Sequence, residues 1–442
     1  MKSTAEQRGW YMYDWANSAF YTTSITVLLG PYLSTLAERA AGFDPKFPEI
    51  NRLVHPLGIP VDVHSYWAYL VALSVVMQVL VLPVMGAIAD YGRRKKEALA
   101  TTAYLGATAA TAMYFQQGQD YLFGGVLFII ANVAFGASVV IYNSFLPEIA
   151  RPEDRDTVSS RGWGIGYIGG GVLLALNLVL LMKSKSIGMS TEMAVRLSMA
   201  SAGVWWGVFT IPTLLALRNR GAARELPPGQ SAIMTALRQL RGTVGDVRHF
   251  PQTMTFLIAY LLYNDAIQAV LTQVGPFGQQ ELGIEPSQLM LAILMVQFVG
   301  FFGAIGFNWV AAKTSAKTAV VITLIVWTAI LIYIYVSVKT TTEFFIMVGI
   351  GGLIMGGSQA LSRSLYAQLV PKGKEAEYFS IYEVSDKGTS WLCPLLFGLA
   401  QQFTHSFRLA ILSLVVFFIA GLAVLLKVNV ERGQRDVSLQ ES

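Results

Sequence analysis

Apolar residues run along this chain in blocks of about twenty, and the polar residues gather between the blocks instead of alternating within them. A helix that crosses a bilayer needs ~20 consecutive, mostly apolar residues. Windows of that width pick out twelve, at 15–37, 66–89, 97–115, 121–146, 162–182, 198–217, 251–275, 288–310, 318–337, 344–366, 379–400 and 407–427. The runs are apolar on all sides. That excludes a barrel, whose strands alternate lipid-facing and lumen-facing residues at every second position. The first run is too long for a cleavable leader and no small-residue cleavage site follows it, so it reads as a retained span.

The polar intervals organise the blocks. The longest, 218–250, holds Pro227, Pro228 and Gly229, and beyond them Ile233, Leu237, Leu240, Val244 and Val247 recur at helical spacing among Arg238, Arg241 and Arg248. This predicts a short amphipathic helix, either on the membrane surface or solvated. The chain then divides into a six-helix bundle (1–217), a cytoplasmic linker (218–250) and a second six-helix bundle (251–442). A weak internal repeat agrees. Tyr142-Asn143-Ser144-Phe145-Leu146-Pro147-Glu148-Ile149 closes span four, and Ser362-Arg363-Ser364-Leu365-Tyr366-Ala367-Gln368-Leu369 closes span ten. Each precedes a charged turn and a polar-rich start to the next span. Two such halves predict an all-α membrane protein built from pseudo-symmetric bundles, with a solute site between the halves.

Composition narrows the class further. Of 442 residues 54% are hydrophobic and only 13% charged, where soluble chains carry about 25% charged residues. Too little polar surface remains for a water-soluble particle, a disordered chain or a coiled coil. The single cysteine, Cys393, lies in an apolar run and reads as packing. It excludes an internal disulfide and any multi-thiolate metal site. The net charge of +5 is a topology signal. With the N-terminus inside, the inner segments carry 22 Lys and Arg and the outer loops 8, which predicts that both termini are cytoplasmic. No basic stretch is interleaved with aromatics, so nucleic acid is not an expected partner. The partners expected are the bilayer, a small-molecule substrate and protons, with the monomer as the working unit.

Polar side chains inside spans are the functional candidates, because an Asp at a span centre costs ~2.5–3.5 kcal/mol on insertion scales. Asp14, Asn17, Ser18 and Tyr21 share one helical face of span one. Tyr260, Asn264 and Gln268 share a face of span seven, with Asp265 beside them. A carboxyl that gains and loses its proton as it meets either side of the membrane is what proton coupling requires. Span eleven holds Glu383, Asp386 and Lys387, of which Glu383 and Lys387 are spaced to pair. Arg363 stands near the inner end of span ten. Asn132, Gln359, Gln297 and Gln78 are mid-span amides, suited to helix–helix contact or to a ligand. Gly164-Ile165-Gly166-Tyr167-Ile168-Gly169 matches a dinucleotide-binding pattern but lacks the strand and βαβ unit that pattern needs. With Gly162 and Gly170 it reads as close helix contact. The four histidines, His55, His64, His249 and His405, are scattered, and neither a metal site nor a cofactor is expected. No phosphate-binding G-x-x-x-x-G-K-[ST] loop is present, so ATP is not the expected energy source.

After span two comes Gly86-Ala87-Ile88-Ala89-Asp90-Tyr91-Gly92-Arg93-Arg94-Lys95-Lys96. It resembles the loop signature of the major facilitator superfamily, with one residue between Asp90 and Gly92 where that pattern has two. The resemblance implies an inner gate at Gly86, Asp90, Gly92, Arg93 and Arg94. The second-half copy, Gly306 to Lys317, has Val310 in place of the acid. Tyr13-Asp14-Trp15-Ala16-Asn17-Ser18-Ala19-Phe20, Tyr263-Asn264-Asp265, the Tyr142 string, Ser160-Arg161-Gly162-Trp163 and Gln359-Ala360-Leu361-Ser362-Arg363-Ser364 resemble the vacuole-effluxer-like branch, which includes autophagy-linked amino-acid exporters. That resemblance implies an amino-acid-like solute, and the two-half layout, the inner-gate loop and the deep carboxyls point to a secondary active transporter of a small polar or zwitterionic solute, not an enzyme. It would be proton-coupled, work by alternating access and reside in a bacterial inner membrane. The alternative on the same fold is an exporter of amphipathic compounds or drugs. A membrane-embedded enzyme or a non-transporting sensor is more remote, because no nucleophile–base pair or long tail appears.

Overall fold

The computed structural model describes residues 3–47, 50–151, 155–220, 250–370 and 390–439, with Met234, Arg238, Gly245 and Tyr382 besides. It is almost wholly helical, and each of the twelve expected spans carries a helix. Helix α1 covers residues 5–41 as one rod in three parts, Ala5–Ala19, a π-helical stretch Phe20–Leu28, and Leu29–Ala41. It is followed by α2 (Tyr66–Tyr91), α3 (Lys95–Ala112), α4 (Tyr121–Asn143), the single turn α5 (Leu146–Ile149), α6 (Arg155–Lys183) and α7 (Thr191–Ala216). Then come α8 (Pro251–Pro276, with a π-helical end Phe277–Glu281), α9 (Pro286–Lys313), α10 (Ala316–Val336) and α11 (Thr341–Ala367). The chain closes with α12 (Leu392–Thr404), α13 (Phe407–Lys427) and α14 (Val430–Leu439). Among the described residues eight helices are long and apolar enough to cross a membrane on those grounds alone. The other four spans are α1, which is too polar, α3, α9 and the thirteen-residue α12. The expected linker helix falls outside the described residues, apart from Met234, Arg238 and Gly245, which are helical.

Local signals explain the helix ends. Thr4 and Gln7 form a reciprocal capping box at the start of α1, and Thr340 and Glu343 form another at α11, each satisfying first-turn amides that have no helical partner. Gly42 (φ 70°) ends α1 in the left-handed region, which a residue without a Cβ adopts at little cost. At about 55 Å, α1 outruns a hydrocarbon core of ~30 Å. Its far end carries a two-stranded hairpin that an all-helical reading does not foresee. Leu53–Val54 pairs antiparallel with Val61–Asp62. The hairpin is locked by a buried Arg52–Asp62 ion pair (2.8 Å) and tied to α1 by His64 Nε2 and Glu38 Oε1 at 2.9 Å.

The chain forms two compact units, Met1–Leu237 with Glu285–Leu291, and Arg238–Ile284 with Ala292–Ser442. In the first, α1 packs against α6 and α7, and α3 against α4 and α7. In the second, α8 packs against α13, and α10 against α11 and α13. The first and sixth, third and fourth, and third and sixth spans of each unit are thus partners, as duplication requires. The junctions match while their chemistry differs. In the first unit Gln7 Nε2 donates to Ile149 O (2.9 Å). In the second Thr253 Oγ1 donates to Leu369 O (2.7 Å). The start of α3 meets the end of α7 through Asn219, which accepts from the Lys96 amide (2.9 Å) and donates to Glu97 (2.7 Å). The start of α10 meets the end of α13 through Lys317 Nζ on the carbonyls of Leu426 (3.0 Å) and Val428 (2.7 Å).

Candidate functional site

Spans one and seven, α1 and α8, carry candidate residues and pack closely on their neighbours. Asp14 is half-buried on α1, and its Oδ2 accepts the Tyr142 phenol of α4 at 2.6 Å. The Tyr142 ring is stacked on Trp10 at 4.3 Å, and the Trp10 indole N–H donates to the Tyr142 carbonyl (3.0 Å). One turn on, Trp205 Nε1 of α7 donates to Trp15 O at 3.1 Å. The glycine stripe of α6 closes the third side. A Cβ on Gly162 would strike Asp14 Oδ2 and Trp10, and one on Gly166 would stand 2.8 Å from Ser18 Oγ. Asn17 is buried, and Tyr21 lies against Phe135 with ring centroids 6.2 Å apart. Asp14, Ser18 and Tyr21 thus meet α4 and α6, while α7 meets α1 through Trp15.

In the second unit α8 has the same office. Tyr263 and Ser362 of α11 share a hydroxyl–hydroxyl hydrogen bond of 2.6 Å. Gly421 of α13 lets the backbones close, since a Cβ there would stand 3.0 Å from that of Tyr263. Asp265, 1% exposed, accepts the Cys393 amide of α12 on Oδ2 at 3.1 Å. The carboxylate thus goes to the fourth span in the first unit and to the fifth in the second. Tyr260 is buried and stacks on Tyr382 at 4.2 Å. Asn264 is buried, Gln268 and Gln359 are half-buried, and Arg363 is exposed. Glu383, Asp386 and Lys387 lie outside the described residues. Asn132 serves the α2–α4 contact, where its side-chain amide donates to Ser74 Oγ (2.8 Å) and its main-chain carbonyl accepts from Gln78 Nε2 (2.8 Å).

The residues of the expected inner gate lie around the end of α2. Gly86 is loosely surrounded, with its nearest neighbour 3.9 Å from a hypothetical Cβ, and Arg93 and Arg94 are exposed. Gly92 ends α2, where any side chain would strike the Ile88 carbonyl. The Asp90 side chain is outside the described set. The cation that is buried is the next one along, Lys95 (2% exposed), whose Nζ meets Glu148 Oε1 of α5 at 2.5 Å. Arg220 bridges Glu6 of α1 and stands 3.9 Å from Glu148. Sequence reasoning missed Lys95, Glu148, Tyr142 and Arg220 as partners. The Tyr142–Glu148 string was visible as a repeat, but nothing in the run Arg93-Arg94-Lys95-Lys96 shows which of its four cations turns inward.

Three comparisons bear on this arrangement. The sequence model of a family described as vacuole effluxer Atg22 like matches residues 2–438. An uncharacterised MFS-type transporter of Bacillus subtilis (strain 168), YxiO, is 28% identical over 441 residues, covering 99% of this chain and 98% of that one. Autophagy-related protein 22-1 of Penicillium rubens is 26% identical, covering 98% and 91%. Among solved structures, a bacterial homologue of the human lysosomal transporter Spinster, in an inward-facing and occupied conformation, superposes with a TM-score of 0.65 at 11% identity, covering 98% and 97%. At that identity the likeness speaks for the fold, the twelve-helix arrangement of major facilitator transporters.

Proposed function

The chain belongs to the vacuole effluxer Atg22-like family, and from that premise we propose that it is a secondary active transporter of a small polar or zwitterionic solute, amino-acid-like and proton-coupled, working by alternating access. It is a multi-pass integral membrane protein whose relatives are named as transporters. The bacterial inner membrane, with both termini in the cytoplasm, is the location we propose from the 22-to-8 distribution of Lys and Arg.

The observation that carries this reading is the polar face of α1. Asp14, Asn17, Ser18 and Tyr21 lie along one side of a membrane-length helix, followed by Thr22, Thr23, Ser24 and Thr26 in the π-helical stretch. Ionisable and polar side chains persist in spans where they face a wet cavity or one another, and π-helical turns cluster at functional sites. A zwitterion calls for groups of both signs. Asp14 is the proposed carboxyl and the proposed place for a coupling proton, and Arg363 is the proposed cation. A membrane potential of 100 mV supplies ~2.3 kcal/mol per transferred charge, enough for modest accumulation.

The test is transport by the purified protein in liposomes, with a mixture of labelled amino acids, with and without an imposed pH gradient. Saturable movement stimulated by the gradient is the expected outcome. Failure of every amino acid to move, with movement of amphipathic dyes instead, would replace the solute class while leaving the transporter fold in place.

A further inference from the structure

Asp265 is among the most buried acids of the second unit, and its geometry has a use other than proton carriage. Helix α12 begins at Leu392, and the side chain of its N-cap residue, Trp391, makes no capping hydrogen bond. The first turn of any helix exposes amides that lack an intrahelical acceptor, and a residue such as Ser, Thr, Asp or Asn normally supplies one from the same segment. Among the described residues the acceptor comes from another helix. Asp265 Oδ2 on α8 takes the Cys393 amide, the second of that first turn, at 3.1 Å in a fully buried position. A carboxylate at a helix N-terminus also meets the positive end of the helix dipole.

The residues beside it make α8 a hub. Tyr263, two positions earlier, joins α11 through Ser362 at 2.6 Å, and its backbone is pressed against Gly421 of α13. Within three consecutive residues α8 is thereby attached to α11 and α13, and Asp265 makes the attachment to α12. In the first unit α1 grips its fifth span differently. No carboxylate bond is needed there, because Gly162 and Gly166 of α6 let the helices touch directly along Asp14 and Ser18.

We propose that Asp265 is a positioning residue: it caps α12 from α8 and pins the two helices so that they move together through the transport cycle. What the site requires of residue 265 is then a hydrogen-bond acceptor of that length and not an ionisable proton. This inference rests on the transporter reading for its consequence in the cycle, but the cap itself can be tested without any substrate.

The experiment compares Asp265→Asn with Asp265→Ala, because the amide oxygen of Asn accepts like a carboxylate and cannot titrate. The first readout is hydrogen exchange at the amides of Leu392, Cys393 and Leu395 in the reconstituted protein, with no solute added. Asp265→Ala should exchange about tenfold faster there, the loss expected when a cap is removed, and Asp265→Asn should stay within about threefold of the parent. Equal protection in the parent and in Asp265→Ala would overturn the cap. The second readout is solute transport and its pH profile. Asp265→Asn should retain gradient-stimulated transport with an unshifted profile, and Asp265→Ala should lose at least tenfold. An Asp265→Asn protein that keeps solute exchange but no longer responds to the pH gradient would overturn the positioning role in favour of proton carriage. If no amino acid moves in the parent protein, the proposed function fails while the exchange readout still decides the cap. Should Asp265→Ala fail to fold, Asp265→Ser, whose hydroxyl is one bond too short to reach the Cys393 amide, takes its place in the exchange readout, and equal protection there would overturn the cap.

Discussion

At the residue scale, the phenol of Tyr142 is what makes Asp14 tolerable on α1. It donates at 2.6 Å to Oδ2 while its ring is held by Trp10. Tyr142→Phe keeps the ring and removes the donor, leaving a partly buried carboxylate short of one hydrogen bond. Such losses cost ~1–3 kcal/mol, so the variant should unfold at a measurably lower temperature in detergent. Gly162→Ala should cost a similar ~1–3 kcal/mol by overpacking, because the new Cβ meets Asp14 and Trp10. Gly164→Ala, with nothing within 4 Å, should stay within about 0.5 kcal/mol. Equal effects at the two glycines would mean that the stripe does not contact α1 as described. None of these partners was legible from the Tyr13–Phe20 string alone. Periodicity puts Asp14, Asn17, Ser18 and Tyr21 on one face, but Tyr142 is 128 positions away, and no spacing rule reaches across that distance.

At the element scale, the end of the first unit that carries α1's start is held by side chains from short and easily overlooked segments. The single turn α5 brings Glu148 to Lys95, and the end of α7 brings Asn219 to Glu97. Lys95 is 3% exposed at its side chain and Glu148 16%. Removing one member of a buried ion pair costs ~3–5 kcal/mol, chiefly by stranding the other charge. Lys95→Ala should therefore destabilise by about 3 kcal/mol, the double variant Lys95→Met with Glu148→Gln should recover much of that, and Arg93→Ala should change stability by under about 0.5 kcal/mol. A double-mutant cycle by thermal unfolding checks the coupling. An additive cycle would show the contact to be incidental. The second unit reaches the junction corresponding to that of Asn219 with Lys317 on backbone carbonyls. Duplicated elements have kept the contact and exchanged its chemistry, and this is why the repeat reads so weakly in the sequence.

At the scale of the whole molecule, orientation is the property most directly open to test. The native cysteine is fully buried, so a single introduced thiol reports alone. Ile59→Cys, on the exposed hairpin (62% exposed), should react with a membrane-impermeant maleimide in intact cells, and Arg218→Cys should react only after lysis. The reverse pattern would invert the proposed topology. The twelve spans and the all-helical fold were legible because hydrophobic length is a local property: a stretch either can or cannot satisfy its backbone inside a bilayer. The glycine spacing of α6 and the polar face of α1 were legible for the same reason, since both repeat with the helix. The hairpin after α1 was missed because its two-residue strands are too short for any alternation, and they exist through the Arg52–Asp62 pair. Which charged residue of a cluster turns inward, which hydroxyl meets which carboxylate, and that Asp265 caps α12 depend on residues brought together from distant stretches of the chain. Sequence by itself therefore determined that this protein is a helical bundle in a membrane with acids held inside it. The tertiary structure alone decided what those acids touch, because a hydrogen bond is set by distance and direction in space and leaves no period along the chain.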